Sequence, residues 1–192
     1  SMRQKVPALE MQSFVGECIV AIRENSSHQI TIGSAYPCGN DYDKNKNYWH
    51  ETEFEQLGFD CNEVFVDFYS FHYFDWMKDR ENVFEQNFDY WDVNKPIVIA
   101  ESAAQTESNN ELLNISDQLN HALDKNYAGL MFWSVNAQDE YSSWDDFKDG
   151  MSDFKNENAA LIDFENDCSQ MVVNEPDLIC SFYPNPATNS IF

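Results

Sequence analysis

The 192-residue sequence predicts an α/β fold built on a parallel sheet. The run KPIVIAE at 95–101 is apolar between its first and last residues, which is typical of a strand buried on both faces. A second run, GLMFWS at 129–134, follows about 30 residues later, with a helical pattern between the two. Strands that alternate with helices indicate βαβ units and therefore parallel pairing.

The first half of the chain predicts two helices and two strands. The helix at 8–24 carries one apolar stripe at helical spacing. A short β-branched strand at 30–34 and a polar, aromatic loop follow, then a helix at 51–57 and a strand at 64–72 rich in Val, Phe and Tyr. The stripe consists of Met11, Phe14, Val15, Cys18, Ile19 and Ile22.

The second half predicts helices on either side of the two apolar runs. Residues 79–91 fit a helix, and residues 110–126 fit another with an apolar side. A last helix is expected near 144–154. The apolar side of the 110–126 segment is formed by Leu112, Ile115, Leu119, Ala122 and Leu123.

The strand count predicts half of a larger barrel. Four strands are found, whereas a closed (β/α)8 TIM barrel has eight and about 250 residues. The chain also opens in a helix with no strand before it. We therefore expect the C-terminal half of such a barrel, strands 5–8. The alternative is a complete small open α/β sheet.

Three segments are predicted from changes in composition. Residues 1–165 form the half-barrel, and residues 166–180 form an acidic linker without helix or strand periodicity. Residues 181–192 begin a further domain.

The net charge of -23 restricts the classes of partner. So acidic a surface repels nucleic acid and anionic membranes, whereas a neutral polymer is unaffected. With 43% hydrophobic residues the chain can bury a core, yet no apolar stretch approaches the roughly 20 residues of a membrane span. The charge itself is explained by the solvated surface of a secreted or salt-tolerant protein.

Motifs for metals and cofactors are absent from the sequence. The five cysteines have no CxxC or zinc spacing, and their odd number argues against a disulfide framework, although one bridge is possible. The segment 41–47 alternates oxygen ligands, but it lacks the glycine of a calcium loop and has Thr52 in place of the last glutamate. No phosphate loop, dinucleotide fingerprint or GxSxG elbow occurs. We expect no cofactor.

Glu101 is the leading catalytic candidate. A charged side chain at the end of a buried strand costs desolvation energy, and the carboxyl ends of parallel strands carry catalytic groups in α/β folds. Retaining glycoside hydrolysis uses two carboxylates about 5–5.5 Å apart, one of which attacks the sugar. Glu101 fits this nucleophile role; the alternative is a structural glutamate in an ion pair near a loop.

Aromatic residues and a histidine at the neighbouring strand ends suggest a sugar site. In FHYFDW at 71–76, alternation places His72 and Phe74 on one face and Tyr73 on the other. His72 is predicted to bind a sugar hydroxyl or position Glu101, unless it is a half-buried histidine in an aromatic cluster. Trp133 is predicted to stack on a pyranose ring. Other loop aromatics that could line a groove, each also explained by packing, are Tyr36, Tyr48, Trp49, Trp76, Tyr141 and Trp144.

These patterns resemble the C-terminal half of retaining (β/α)8 glycoside hydrolases of clan A, closest to the family 5 endoglucanases and β-mannanases. The resemblance covers about residues 5–140, with 29–34 as the fifth strand. It implies that Glu101 on the seventh strand is the nucleophile. It also implies that His72 on the sixth strand and Trp133 on the eighth hold the sugar. From their positions in the sequence, Tyr73 and Trp76 are further substrate-binding candidates.

The sequence departs from that family at three places. Phe74 stands where a tyrosine often donates to the nucleophile, so that hydrogen bond depends on Tyr73, and Ser102 replaces a common aromatic. The family's acid/base is the glutamate of an Asn-Glu pair ending strand four. Asn62-Glu63 and Asn110-Glu111 do not occupy that place, so the acid/base is expected upstream of Arg3.

The segment FYPNPA at 182–187 resembles the opening of a type IX secretion sorting domain, which implies export to the cell surface or medium. Together these features predict a secreted hydrolase of a β-linked glucan or mannan. We expect this chain alone to be inactive and to need a complementary N-terminal half or self-association. The alternative is a half-barrel that binds carbohydrate or a partner chain without cleaving anything.

Overall fold

The computed structural model describes residues 6–35, 47–77, 82–109, 111–134 and 142–160. The chain divides into two compact units, 1–156 and 157–192. The predicted boundary at 165, the acidic linker and the sorting tail lie outside the described residues.

A four-stranded parallel sheet forms the centre of the first unit. The strands of the described part are β1 (Gly33–Ser34), β2 (Tyr69–Tyr73), β3 (Ile97–Ser102), β4 (Thr106–Ser108), β5 (Glu111–Leu113) and β6 (Gly129–Leu130). The order in the sheet is β1-β2-β3-β6, and each neighbouring pair is parallel. The predicted α/β class with a parallel sheet is confirmed.

Four α-helices accompany the sheet within the described ranges: α1 (Ala8–Asn25), α2 (Glu51–Gln56), α3 (Ile115–Asp124) and α4 (Trp144–Glu157). The helices predicted at 8–24, 51–57 and 144–154 are therefore confirmed. At the start of α3, the Asn114 side chain accepts from the Asp117 N–H and the Asp117 side chain accepts from the Asn114 N–H. This capping box fixes where the helix begins.

Two helix predictions were wrong in part. Residues 111–113 pair with β4 as an antiparallel hairpin, so the helix predicted at 110–126 begins only at Ile115. The described part of 79–91 contains turns and a 3₁₀ helix, Phe88–Trp91, instead of an α-helix. The Asn82 and Asn87 side chains accept backbone N–H groups two and three residues on, which favours turns over a continuous helix.

The strands at 30–34 and 64–72 are shorter than predicted, since β1 holds two residues and β2 begins at Tyr69. Val64 and Val66 are nevertheless buried. Their apolar side chains pack in the core, although neither residue belongs to a β-strand.

Helix α1 fully buries only one residue of its apolar stripe, Ile19, together with two residues outside the stripe. Its buried residues are Gln12, Gly16 and Ile19. Gly16 lets the Phe59 ring approach so closely that a Cβ there would lie 2.5 Å from it, and the Gln12 side chain donates to the Tyr48 carbonyl at 2.8 Å. The large apolar residues that α1 and the residues before it leave exposed are Val6, Leu9, Met11, Phe14 and Ile22.

The core lies on one face of the sheet. Phe71 packs against Trp91 at 5.7 Å and Tyr127 at 6.3 Å between ring centroids, and Tyr73 packs edge-on against Phe84 at 5.4 Å. Ile97 and Ile99 of β3 are fully buried with them. We call this the helix-facing side of the sheet, and the side that carries His72 the open face.

No helix of the described segments has both the length and the apolar character needed to cross a membrane.

Candidate active site

A β-bulge at Ala100 decides where Glu101 points. In the β2–β3 ladder Phe71 pairs with Ile99 but the next residue, His72, pairs with Glu101, so Ala100 is an extra residue in β3. Strict alternation would place Glu101 on the same side as Ile97 and Ile99, facing the helices. The extra residue shifts this phase and brings Glu101 to the open face beside His72.

His72 and Glu101 contact each other across the two strands. The distance from His72 Nδ1 to Glu101 Oε2 is 3.2 Å, and the side chains are 36% and 26% exposed. On its other side the imidazole Nε2 would lie 3.1 Å from a Cβ at position 33, so Gly33 of β1 leaves the space that the ring occupies. Three adjacent strands therefore contribute to one solvent-accessible pair.

Trp133 follows the end of β6, next to the end of β3. The Met131 N–H donates to the Ile99 carbonyl at 2.8 Å and the Trp133 N–H donates to the Ser102 carbonyl at 2.9 Å, which continues the contact between the two strands. The Trp133 side chain is half exposed. Its backbone is therefore fixed one residue beyond Glu101, with the indole available to a ligand.

Gln118 of α3 holds the backbone that follows Glu101. Its side chain is fully buried, and its Oε1 accepts from the Ser102 hydroxyl at 2.7 Å. Its Nε2 donates to the Ala103 carbonyl at 3.0 Å and to the Leu113 carbonyl at 3.3 Å. A buried amide with such partners restrains the chain on which Glu101 is mounted.

Tyr73 is separated from the other predicted site residues. It pairs with Ser102 on the helix-facing side and has no exposed surface. Burial, followed by the neighbouring Asp75 carboxylate, raises the pKa of its hydroxyl. Tyr73 therefore does not take the place that Phe74 leaves open beside Glu101, and we leave it out of the site proposed below.

Trp76 lies just after β2 in a 3₁₀ helix, Asp75–Met77, and is the most exposed of the described tryptophans. The Asp75 carboxylate accepts from the Thr106 hydroxyl and from the Glu107 N–H, which ties this turn to the β4–β5 hairpin. No contact joins Trp76 to Glu101 or Trp133 in the described geometry, so its predicted role in binding stays a prediction.

The remaining candidates are dispersed. Trp49 is buried and Tyr48 half-buried, whereas Trp144 is exposed at the start of α4. Tyr36, Tyr141 and residues 41–46 of the calcium-like segment lie outside the described residues. Cys18 and Cys61 are free thiols. In the described ranges, no group of three His, Cys, Asp or Glu side chains is placed to hold a metal ion.

Sequence reasoning missed the residues that position the site. Gln118 could have been found, because it falls three residues after Ile115 and four before Ala122, on the buried face of the helix. The bulge at Ala100 has no such signal in the sequence, because a strand with one extra residue looks the same as a regular strand that is one residue longer. The role of Gly33 depends on the neighbouring strand and likewise has no local signature.

No protein-family model matches this sequence, and no curated protein matches it either. Solved structures do. An endo-1,4-β-mannanase from Eisenia fetida superposes with a TM-score of 0.64 at 22% identity, over 77% of this chain and 41% of that one. The β-mannanase of the blue mussel Mytilus edulis gives 0.60 at 23% identity, over 76% and 40%. The β-1,4-mannanase of the sea hare Aplysia kurodai gives 0.63 at 21% identity, over 81% and 43%.

The chain has a mannanase-like fold. It spans about two fifths of the length of each of these structures, so the likeness concerns that part of the fold. At these identities it establishes the architecture and leaves the chemistry to be argued from the site.

Proposed function

We propose that the chain is part of a retaining glycoside hydrolase that cleaves a β-linked polysaccharide, with β-1,4-mannan as the first substrate to test. The observation that carries the proposal is the bulge that turns Glu101 onto the open face, 3.2 Å from His72. The likeness to three mannanases supports mannan ahead of glucan.

In this proposal Glu101 attacks the anomeric carbon. Its carboxylate oxygen forms a bond to that carbon while the bond to the leaving oxygen breaks, and a second carboxylic acid protonates the leaving oxygen. Water then attacks the anomeric carbon, the bond from that carbon to Glu101 breaks and frees the Glu101 carboxylate, and the second carboxylate takes the proton from the water. His72 orients the carboxylate through Nδ1, and Trp133 stacks on the sugar ring.

The second carboxylate is proposed to come from a complementary half of the barrel. A closed barrel has eight strands, and the described sheet has four, with β1 and β6 at its edges. His72 and Glu101 on the open face are partly exposed, and four apolar residues of α1 are exposed: Leu9, Met11, Phe14 and Ile22. Such surfaces are covered in parallel α/β barrels, because strands and helices surround them.

A second candidate, a half-barrel that binds carbohydrate or a partner without cleavage, is favoured by the same exposed face of α1. In that case Glu101 and His72 would bind sugar hydroxyls only. Export to the cell surface or medium is proposed from the sequence tail.

The test is to complete the barrel. The chain is fused behind the N-terminal remainder of the Eisenia fetida mannanase and assayed on β-1,4-mannan, beside the 192-residue chain alone. We expect hydrolysis by the fusion, with the β-anomer formed first by NMR, and none by the isolated chain. Glu101→Gln should lower the rate of the fusion by at least about a thousandfold, because the covalent step is lost.

Glu111→Gln is the matched control, since Glu111 is an exposed carboxylate on β5, and it should change the rate less than about twofold. Full activity of the isolated chain, or an active Glu101→Gln fusion, would contradict the proposal. Binding of mannohexaose to the isolated chain without hydrolysis by the folded fusion would favour the second candidate.

A further inference from the structure

An aromatic pair, one exposed tryptophan and one half-buried phenylalanine, lies at the beginning of α4. Trp144 is the first residue of this helix and is 54% exposed. Phe147 follows one turn later, and the two rings stack with 6.2 Å between centroids and 20° between planes. Phe147 therefore supports the indole from one side, and the exposed surface of the indole is available to a ligand.

The pair is connected to the strand end that carries Trp133. Phe147 packs edge-on against Phe132 at 6.2 Å, and Phe132 precedes Trp133 in the chain. The Ser142 hydroxyl donates to the Ser134 carbonyl at 2.7 Å, which ties the residues before α4 to the residue after Trp133. Aromatic side chains thus continue from the end of β6 to the start of α4.

The start of α4 is held in place. The Ser143 hydroxyl donates to the Asp146 carboxylate at 2.6 Å and accepts from the Asp146 N–H at 3.3 Å, as an N-cap does. A helix that follows a parallel strand begins at the end of the sheet where that strand finishes. Trp144 therefore lies on the same end of the molecule as Glu101.

The chemistry around Trp144 selects a neutral ligand with apolar faces. A tryptophan at the surface offers a flat apolar area, to which the C–H face of a pyranose is complementary. Asp145, Asp146 and Asp149 of the same helix repel anions and can accept hydrogen bonds from sugar hydroxyls. Anionic polysaccharides and nucleic acids are excluded on this ground.

We propose that Trp144, supported by Phe147, binds a second sugar unit of the same polysaccharide, beyond the unit that stacks on Trp133. The inference rests on the proposed function and adds a preference for long neutral chains over short ones. In this proposal Trp144 contributes to affinity and not to bond cleavage.

Isothermal titration of the 192-residue chain with β-1,4-mannohexaose and β-1,4-mannobiose tests the inference. Trp144→Ala should weaken hexaose binding about threefold to tenfold and leave mannobiose binding unchanged. Trp144→Phe should retain most of the affinity, and Phe147→Ala should weaken hexaose binding less than Trp144→Ala does. Met151→Ala is the matched control, because Met151 is a large apolar residue exposed on the same helix.

The titrations with Trp144→Ala have outcomes that either support or overturn the inference. Unchanged hexaose binding by Trp144→Ala would overturn the inference, and if Trp133→Ala still weakened both ligands the proposed function would stand. Equal weakening of both ligands by Trp144→Ala would also overturn it, because the residue would then belong to the central subsite. A wild-type chain that binds neither sugar would overturn the inference, whereas mannan hydrolysis by the fusion would still support the proposed function.

Discussion

The two faces of the sheet differ in burial and polarity within the same strands. On the helix-facing side, Phe71, Tyr73, Ile97 and Ile99 are at most 1% exposed. On the open face, His72 and Glu101 are 36% and 26% exposed and contact each other. The core residues need no partner outside the described unit. The open face, by contrast, carries the polar pair in a position that solvent or substrate can reach.

A single extra residue in β3 moves the Glu101 side chain from the helix-facing side to the open face. Without Ala100 as the bulged residue, the alternation of β3 would bury a carboxylate among Ile97, Ile99 and the helices, at a considerable desolvation cost. The bulge thus avoids this cost, and in the proposed function it also presents Glu101 to substrate.

The largest expected effect comes from substitutions at Phe71 and His72, two consecutive residues whose side chains lie on opposite faces of the sheet. Phe71→Ala should lower the free energy of unfolding by about 3–5 kcal/mol, because it opens a cavity between Trp91 and Tyr127. His72→Ala should lower it by less than about 1 kcal/mol while weakening mannohexaose binding. Urea unfolding and titration calorimetry measure the two quantities. A large loss of stability in His72→Ala would abolish the contrast between the faces.

A smaller effect is expected where α3 reaches the end of β3. Gln118→Ala should cost about 2–4 kcal/mol, since it leaves the Ser102 hydroxyl and two carbonyls without their buried partner. Mannohexaose binding should weaken as well, because the backbone after Glu101 loses its restraint. Gln56→Ala, at an exposed position of α2, is the control and should change stability by less than about 0.5 kcal/mol. A Gln118→Ala chain with unchanged stability and binding would show that the restraint is unimportant.

The sequence predicted the layers of the fold but not their details. The parallel sheet and three of the helices follow from apolar runs and helical periodicity, which depend on burial alone. The α1 stripe, from Met11 to Ile22, is different: periodicity identifies an apolar side but not what covers it, and here Gln12 and Gly16 face the core. The helix predicted at 79–91 failed because asparagine side chains close turns locally.

The candidate site was predictable in part for the same physical reason. Glu101, His72 and Trp133 stand at strand ends, and parallel strands bring their ends together. Its place next to His72 in the sequence predicts Tyr73 as a site residue, whereas its complete burial opposite Ser102 places it in the core. Register and bulges depend on the neighbouring strand, so no single segment encodes them.

The smallest effect is expected at Asp67, which lies two residues before β2 and on neither face of the sheet. Asp67 accepts from the Arg23 guanidinium and from the Ile30 N–H, both at 2.6 Å. Burial tends to raise the pKa of Asp67, but the Ile30 N–H and Arg23 outweigh it, so the pKa lies below 3.8. Because the pKa of Asp67 is lower in the folded chain than in the unfolded chain, the ionised carboxylate stabilises the fold. This stabilisation is complete above the unfolded pKa of 3.8 and disappears as the pH falls through the folded pKa.

Asp67→Asn should therefore lower the free energy of unfolding by about 1–2 kcal/mol at pH 7, and the difference from wild type should shrink in acid. Thermal unfolding between pH 7 and pH 3 measures this. Asp124→Asn, at an exposed carboxylate at the end of α3, is the control and should unfold like the wild type. A difference for Asp67→Asn that stays constant with pH would contradict the assignment.

The proposed role of Glu101 as the nucleophile is tested most directly by trapping the covalent intermediate. The fusion that completes the barrel is treated with a 2-deoxy-2-fluoro-mannosyl fluoride, whose leaving group needs no acid catalysis, and the labelled peptide is sequenced by mass spectrometry. We predict one sugar per protein, attached to Glu101, and no label on Glu101→Gln. A label on another carboxylate, or mannan hydrolysis by a fusion that never acquires a label, would contradict the role of Glu101.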